Sequence, residues 1–222
     1  MIATNLLCQE IIPIHQSNTG NSARNRMMEY GIDKLPVIRE ADNLFIGMIS
    51  ELTLMDMNFR DEPISSLELD IENNRLRENE HLFDIVRKMS EQQTRVLPVI
   101  DDNDKYIGVI RHEDVIDSLV KLNAFKDPGG ILVLEMNTID YSLAAVAQIA
   151  ESEGAKILAS YVEVQEGTKK MSLTIKLNKR ELAPIIATFE RYSYVVLASY
   201  QEKGNEEFLQ DRYESFLHYL NV

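Results

Sequence analysis

The chain has 222 residues, 45% of them hydrophobic and 27% charged, which excludes a disordered or collagen-like polymer and leaves room for one large domain or two small ones. Asp and Glu number 36 against 23 Lys and Arg, a formal net charge of −13, and such a field repels both nucleic-acid phosphates and anionic lipid. The single cysteine, Cys8, excludes an internal disulfide framework and any zinc site that needs two thiolates.

The first ten residues lack the basic stretch of a signal peptide, and no apolar run approaches the ~18–20 residues of a membrane span, so a cytoplasmic protein is expected. Ala23, Met27 and Met28 then fall at helical spacing. Leu35-Pro36-Val37-Ile38 reads as a short strand with Pro36 near its start, where a missing N–H is tolerated. A polar turn leads to a second strand, Phe45-Ile46-Gly47-Met48-Ile49, and a second helix is expected over 51–58.

The whole pattern then repeats. Leu82, Ile85, Val86 and Met89 mark a stronger helix; Leu97-Pro98-Val99-Ile100 recurs sixty-two residues after its first copy, and Tyr106-Ile107-Gly108-Val109-Ile110 sixty-one residues after its own. The one-residue difference falls in the intervening turn, where deletions are tolerated. A helix over 113–122 closes the second copy, and neither copy of about sixty residues buries much core alone.

Beyond the punctuation Lys126-Asp127-Pro128-Gly129-Gly130 the period changes. Strands are expected over 131–136, 156–164, 171–177 and 193–199, with helices over 141–153 and 179–192. Gly154 stands where a helix C-terminus wants glycine, and 165–168 reads as a hairpin turn. The order is βαββαβ, a ferredoxin-like plan. Phe208, Leu209, Tyr213, Phe216, Leu217 and Leu220 form one stripe of an amphipathic helix over 205–222.

The doubled helix, Leu-Pro-Val-Ile, turn, Phe/Tyr-Ile-Gly-hydrophobic-Ile and helix resembles the cystathionine-β-synthase (CBS) domain, and the two copies together resemble a CBS pair, or Bateman module. The fold class expected is α/β (α+β): a pseudo-twofold CBS pair over 1–122, with repeats of about 1–60 and 61–122, a linker over 123–130, an ACT-like domain over 131–200 and the C-terminal helix. This order is similar to that of bacterial acetoin-utilisation CBS proteins. The resemblance implies an adenosine ligand, AMP, ADP, ATP or S-adenosylmethionine, in the cleft between the repeats, held by a motif Gly-hydrophobic-x-Thr/Ser-x-x-Asp.

Here that motif is divided. Repeat one reads Gly47-Met48-Ile49-Ser50-Glu51-Leu52-Thr53 and keeps the hydroxyl; repeat two reads Gly108-Val109-Ile110-Arg111-His112-Glu113-Asp114 and keeps the carboxylate. The ligand-binding set that the resemblance implies is therefore Asp114 for the ribose hydroxyls, Arg111 for a phosphate, Thr94, Arg95 and Val96 before Pro98 around the base, and Ser50 in the first repeat. Ser50 and Asp114 are also residues that cap helices with no ligand involved. In ACT domains the ligand turn is the first strand-to-helix turn, residues 136–140 here; it holds no glycine, so the resemblance favours association over amino-acid sensing.

No phosphate-loop, dinucleotide, zincin or nucleophile-elbow motif is present, and His15, His81, His112 and His218 are scattered. Asp101-Asp102-Asn103-Asp104 lacks the glycine and glutamate of a calcium loop and reads as a solvated turn. The expected function is a non-enzymatic regulatory protein with no metal site, a homodimer with a protein target and no nucleic-acid or membrane partner. The competing reading is a structural dimerisation module whose nucleotide site no longer binds.

Overall fold

The computed structural model describes residues 1–55, 61–66, 69 and 75–201. They fall into two compact units, Met1–Leu119 and Val120–Val222. The amphipathic stripe over 205–222 and the end of the helix expected over 51–58 lie outside the described residues.

The first unit is built twice from one plan. Strand β1 (Ile14–His15) leads to α1 (Gly20–Tyr30), β2 (Lys34–Ile38), β3 (Phe45–Ser50) and α2 (Glu51–Met55). Strand β4 (Leu76–Arg77) leads to α3 (Leu82–Glu91), β5 (Val96–Ile100), β6 (Tyr106–Arg111) and α4 (His112–Val120). Each set makes a three-stranded sheet, β1-β2-β3 and β4-β5-β6, with a parallel first pair and an antiparallel second pair. Both antiparallel pairs carry a register shift at the same place, between Val37 and Ile38 and between Val99 and Ile100.

Pro36 and Pro98 are the third residues of their strands, one place further in than the expected starts at Leu35 and Leu97 would put them. They are tolerated because β1 and β4 are two residues long and reach β2 and β5 only at Val37–Ile38 and at Val99–Ile100. The missing N–H therefore faces no neighbour on that side.

One face of each sheet packs on its own helices: Leu35, Val37 and Ile49 with Ala23, Met27 and Leu54, and Leu97, Val99 and Ile110 with Leu82, Ile85, Met89 and Val115. Each of the larger buried side chains among these contributes about 1.5–3 kcal/mol. The helical faces are narrower than the periodicity suggested, for Met28 is 70% exposed and Val86 44%. The opposite faces meet through Phe45, Met48, Ile100 and Tyr106. Leu44 and Lys105, equivalent residues of the two repeats, bridge each other; Phe45 N donates to Asp104 O at 2.9 Å and Tyr106 N to Asn43 O at 3.0 Å. A residue that pairs with its own equivalent lies on the local twofold.

The segments ahead of each repeat are exchanged, which the sequence reading did not anticipate. Ala3 N and Thr4 N donate to Glu80 O and Glu78 O in repeat two, while Ile64 N and Ser65 N donate to Asn18 O and Gln16 O in repeat one. Ala3 and Leu6 enter the core of repeat two, and Ile64 enters the core of repeat one. Further on, Cys8 N donates to Val109 O at 2.8 Å, crossing β6 beside Gly108. A Cβ at Gly108 would lie 2.9 Å from Leu7 Cδ2 and 3.5 Å from Cys8 O, so this glycine serves the crossing chain.

In the second unit, α5 (Asn123–Lys126) forms a single turn inside the span read as linker. It is followed by β7 (Gly130–Asn137), α6 (Leu143–Ser152), β8 (Ile157–Val164), β9 (Lys170–Leu177), α7 (Ala183–Arg191) and β10 (Val195–Gln201). The sheet order β10-β7-β9-β8, antiparallel throughout, is that of a ferredoxin-like fold. Leu132, Leu134, Leu173 and Ile175 pack under Val146, Ile149, Ile185 and Phe189. Helix α7 starts four residues later than expected because Pro184 occupies its first turn, where its fixed φ favours initiation. Gly154 takes φ +66° just past α6, as its position implied.

Candidate functional site

The two divided motifs sit at equivalent corners of the first unit, where the β-hairpin enters its second helix. In repeat two, the Asp114 carboxylate accepts from Arg111 three times: backbone N at 3.0 Å, Nε at 3.0 Å and Nη2 at 2.8 Å. Burial pushes the Asp114 carboxyl up, and the Arg111 hydrogen bonds and charge more than offset this, holding it below its ordinary value. Those hydrogen bonds also raise the Arg111 pKa. Glu10 Oε2 lies 3.8 Å from Arg111 Nη1. The two side chains expected to hold a ribose and a phosphate at this corner thus satisfy each other.

Of the remaining residues expected there, Thr94 is buried and its hydroxyl donates to Val96 O at 2.9 Å. Val96 and Pro98 are buried in β5, and only Arg95 is exposed. The Tyr106 hydroxyl donates to Ile11 O at 3.3 Å, and burial raises its pKa.

Repeat one is different. Ser50 Oγ accepts from Thr53 N at 3.0 Å and lies 2.8 Å from Thr53 Oγ1. The two repeats have kept complementary halves of one capping box: Ser50 bonds forward to the third helical N–H, and Asp114 bonds back to the N–H that precedes its helix. Beside Ser50 and Thr53 opens a cleft of about 340 Å³, lined among others by Asp33, Lys34, Met48 and Glu51. Lys34 stands directly across from Ser50 in the β2–β3 register, so their side chains share a face. A second cleft, of about 550 Å³, shares Asp33 and Glu51 with the first and adds Gln93 and Arg95 from the other repeat.

Asp33, Lys34 and Glu51 were not singled out from sequence. The signal was there, because Asp33 and Lys34 are the repeat-one equivalents of Arg95 and Val96. The exposed ends of α2, with Leu52 and Met55, complete the apolar part of the smaller cleft.

In the second unit, the expected ligand turn borders a cleft of about 460 Å³ with Glu135, Asn137, Asp140, Lys170 and Tyr192 on its wall. Its charged and amide groups are paired: Lys170 Nζ with Glu135 at 2.6 Å, and Asn137 Nδ2 donating to Asp140 at 2.8 Å. Among the described residues no group of three or more His, Cys, Asp or Glu is placed to hold a metal ion, and no helix is long and apolar enough to cross a membrane.

Residues 74–121 match the CBS domain family. That stretch is a CBS domain. The first repeat duplicates its strands, register shift and hairpin, so the first unit is built from two copies of one plan, and a ferredoxin-like domain follows it. Among solved structures, a CBS domain pair/ACT domain protein from Thermotoga maritima is 19% identical, with 55% of this chain and 98% of that chain covered and a TM-score of 0.49. The protein CBSX2 in complex with AMP is 20% identical over 55% of this chain and 98% of its own, with a TM-score of 0.48. The cytosolic domain of the Mg2+ channel MgtE in complex with ATP is 18% identical over 53% of this chain and 48% of its own, with a TM-score of 0.45.

Proposed function

We propose that this is a non-enzymatic, cytoplasmic regulatory protein whose CBS pair binds an adenosine-based ligand, the class that includes AMP, ADP, ATP and S-adenosylmethionine. The observation that carries the reading is the open cleft of repeat one, with the Ser50–Thr53 hydroxyl pair on one wall and Lys34 across from it. A site of that size with apolar walls and a few convergent polar groups is what small-molecule recognition requires. The ligand regulates to the extent that it binds two states of the protein unequally.

The corner at Asp114 and Arg111 enters as the closed counterpart. A nucleotide there has to break three charge-assisted hydrogen bonds, worth about 1.5–3 kcal/mol each, before making its own. That closure is also the observation favouring the second reading, a CBS pair kept as a dimerisation platform with no ligand.

Calorimetric titration of the full chain with AMP, ADP, ATP and S-adenosylmethionine separates the two. Binding of one of them, weakened by Ser50→Ala and not by Asp114→Ala, supports the repeat-one site. Weakening by Asp114→Ala alone moves the site to repeat two, and no binding at all leaves the platform. The protein is further proposed to be a homodimer, on the strength of its sequence stripe over 205–222, and sedimentation as a monomer at micromolar concentration overturns that.

A further inference from the structure

Four charged side chains line the two adjoining clefts of the first unit: Asp33 and Glu51 on the wall common to both, Lys34 in the smaller, and Arg95 in the larger. None of these side chains has a hydrogen-bond or ion-pair partner among the described residues. The backbone holds the two acids together, since Glu51 N donates to Asp33 O at 2.8 Å, and Lys34 follows Asp33 in the chain. Carboxylates therefore outnumber ammonium groups in the smaller cleft, and the two signs only balance when Arg95 is counted. This is a poor place for a phosphate, which brings about −1.5 to −2 charge of its own against two unpaired carboxylates. It is a good place for a ligand carrying both signs. An ammonium or sulfonium makes charge-assisted contacts with Asp33 and Glu51, a carboxylate does so with Lys34 or Arg95, and Met48, Leu52 and Met55 offer apolar surface to a purine.

We infer that the repeat-one cleft selects an adenosyl ligand bearing an amino-acid zwitterion, the S-adenosylmethionine and S-adenosylhomocysteine class, over adenosine phosphates. The inference rests on the proposed adenosine-binding role and narrows it to one chemical class. The cleft's acids act as the discriminating groups: they attract the cationic end of such a ligand and repel a phosphate in the same position. The Arg111–Asp114 pair takes no part.

The test is calorimetric titration of the full-length protein with S-adenosylmethionine, S-adenosylhomocysteine, AMP and ATP at one ionic strength. The expected result is that one of the two amino-acid compounds binds at least tenfold tighter than either phosphate. In the double variant Asp33→Asn, Glu51→Gln that compound should weaken at least tenfold, while AMP stays the same or tightens. Both positions lie at the rim of a cleft outside the core, and an unchanged melting temperature of the unliganded variant confirms that it is folded. Lys34→Met gives a second reading, a loss of at least fivefold for the same compound. AMP or ATP binding tighter than both amino-acid compounds, or a double variant that binds them as the parent does, overturns the inference and leaves the adenosine-binding role standing. No binding by any of the four overturns both.

Discussion

At the scale of the residue, Asp114 is the group whose chemistry is best defined. Its carboxylate is held below the ordinary value of 3.8 by Arg111, against the opposing effect of burial. A carboxyl depressed in the folded state adds stability that is complete above the unfolded value and disappears as the pH falls through the folded one. Asp114→Asn is therefore expected to cost about 1.5–3 kcal/mol at neutral pH, measured by urea denaturation, and to converge with the parent as the pH drops below that range. A variant equally destabilised at every pH would make the contact one of packing alone. The same residue shows the limit of reading a site from sequence. Asp114 and Arg111 were recognisable as ligand-type residues at motif positions, but two opposite charges three residues apart at a helix start are also each other's nearest partners. Sequence lists both possibilities, and only the 2.8–3.0 Å contacts choose between them. Lys34, by contrast, is marked in the sequence only as the repeat-one equivalent of Val96; that it stands across a strand pair from Ser50 is set by register and not by motif.

At the scale of the element, the strands and hairpins of both repeats were legible because their apolar runs and turns repeat, and the ferredoxin-like strands because the period of two is clean. What escaped was everything decided by a chain crossing. The first residues of the protein carry no strong period, yet Ala3 and Leu6 lie in the core of repeat two. Gly108 was recognisable only as part of a Gly-x-Ile motif; its physical reason is the passage of Leu7 and Cys8 over β6. Gly108→Ala would bring a methyl to 2.9 Å from Leu7 Cδ2. Overpacking of that kind costs about 1–3 kcal/mol, so a lower melting temperature is expected, together with faster hydrogen exchange at the Cys8 and Val109 amides that pair across the crossing. A variant that loses stability with both amides still protected would place the strain elsewhere.

At the scale of the molecule, the sequence repeat suggests a cut between residues 60 and 61, while the packing says that this is where the chain cannot be divided. Repeat one takes Ile64 into its core and caps its β1–α1 turn with the backbone of Pro63 to Ser65; repeat two takes Ala3 and Leu6 and pairs with Met1 to Thr4 in the same way. Each half alone leaves behind a segment that its own core lacks and carries one with nowhere to pack. Losing a buried Ile or Leu from a core costs about 2–5 kcal/mol, a large share of the 5–15 kcal/mol that stabilises a whole domain. The ferredoxin-like unit stands differently, because its core of Leu132, Leu134, Leu173, Ile175 and Phe189 draws only on residues of its own span. Fragments 1–60 and 61–122 are accordingly expected to be unfolded when expressed separately, by circular dichroism and by amide proton dispersion. Mixed together, they are expected to regain structure, since each supplies what the other is missing. Fragments 1–122 and 123–201 are expected to fold without each other. A folded, monomeric 1–60 would mean that the exchanged segments are ornament on two self-sufficient repeats. An unfolded 123–201 would mean that the second core depends on residues beyond those that line it.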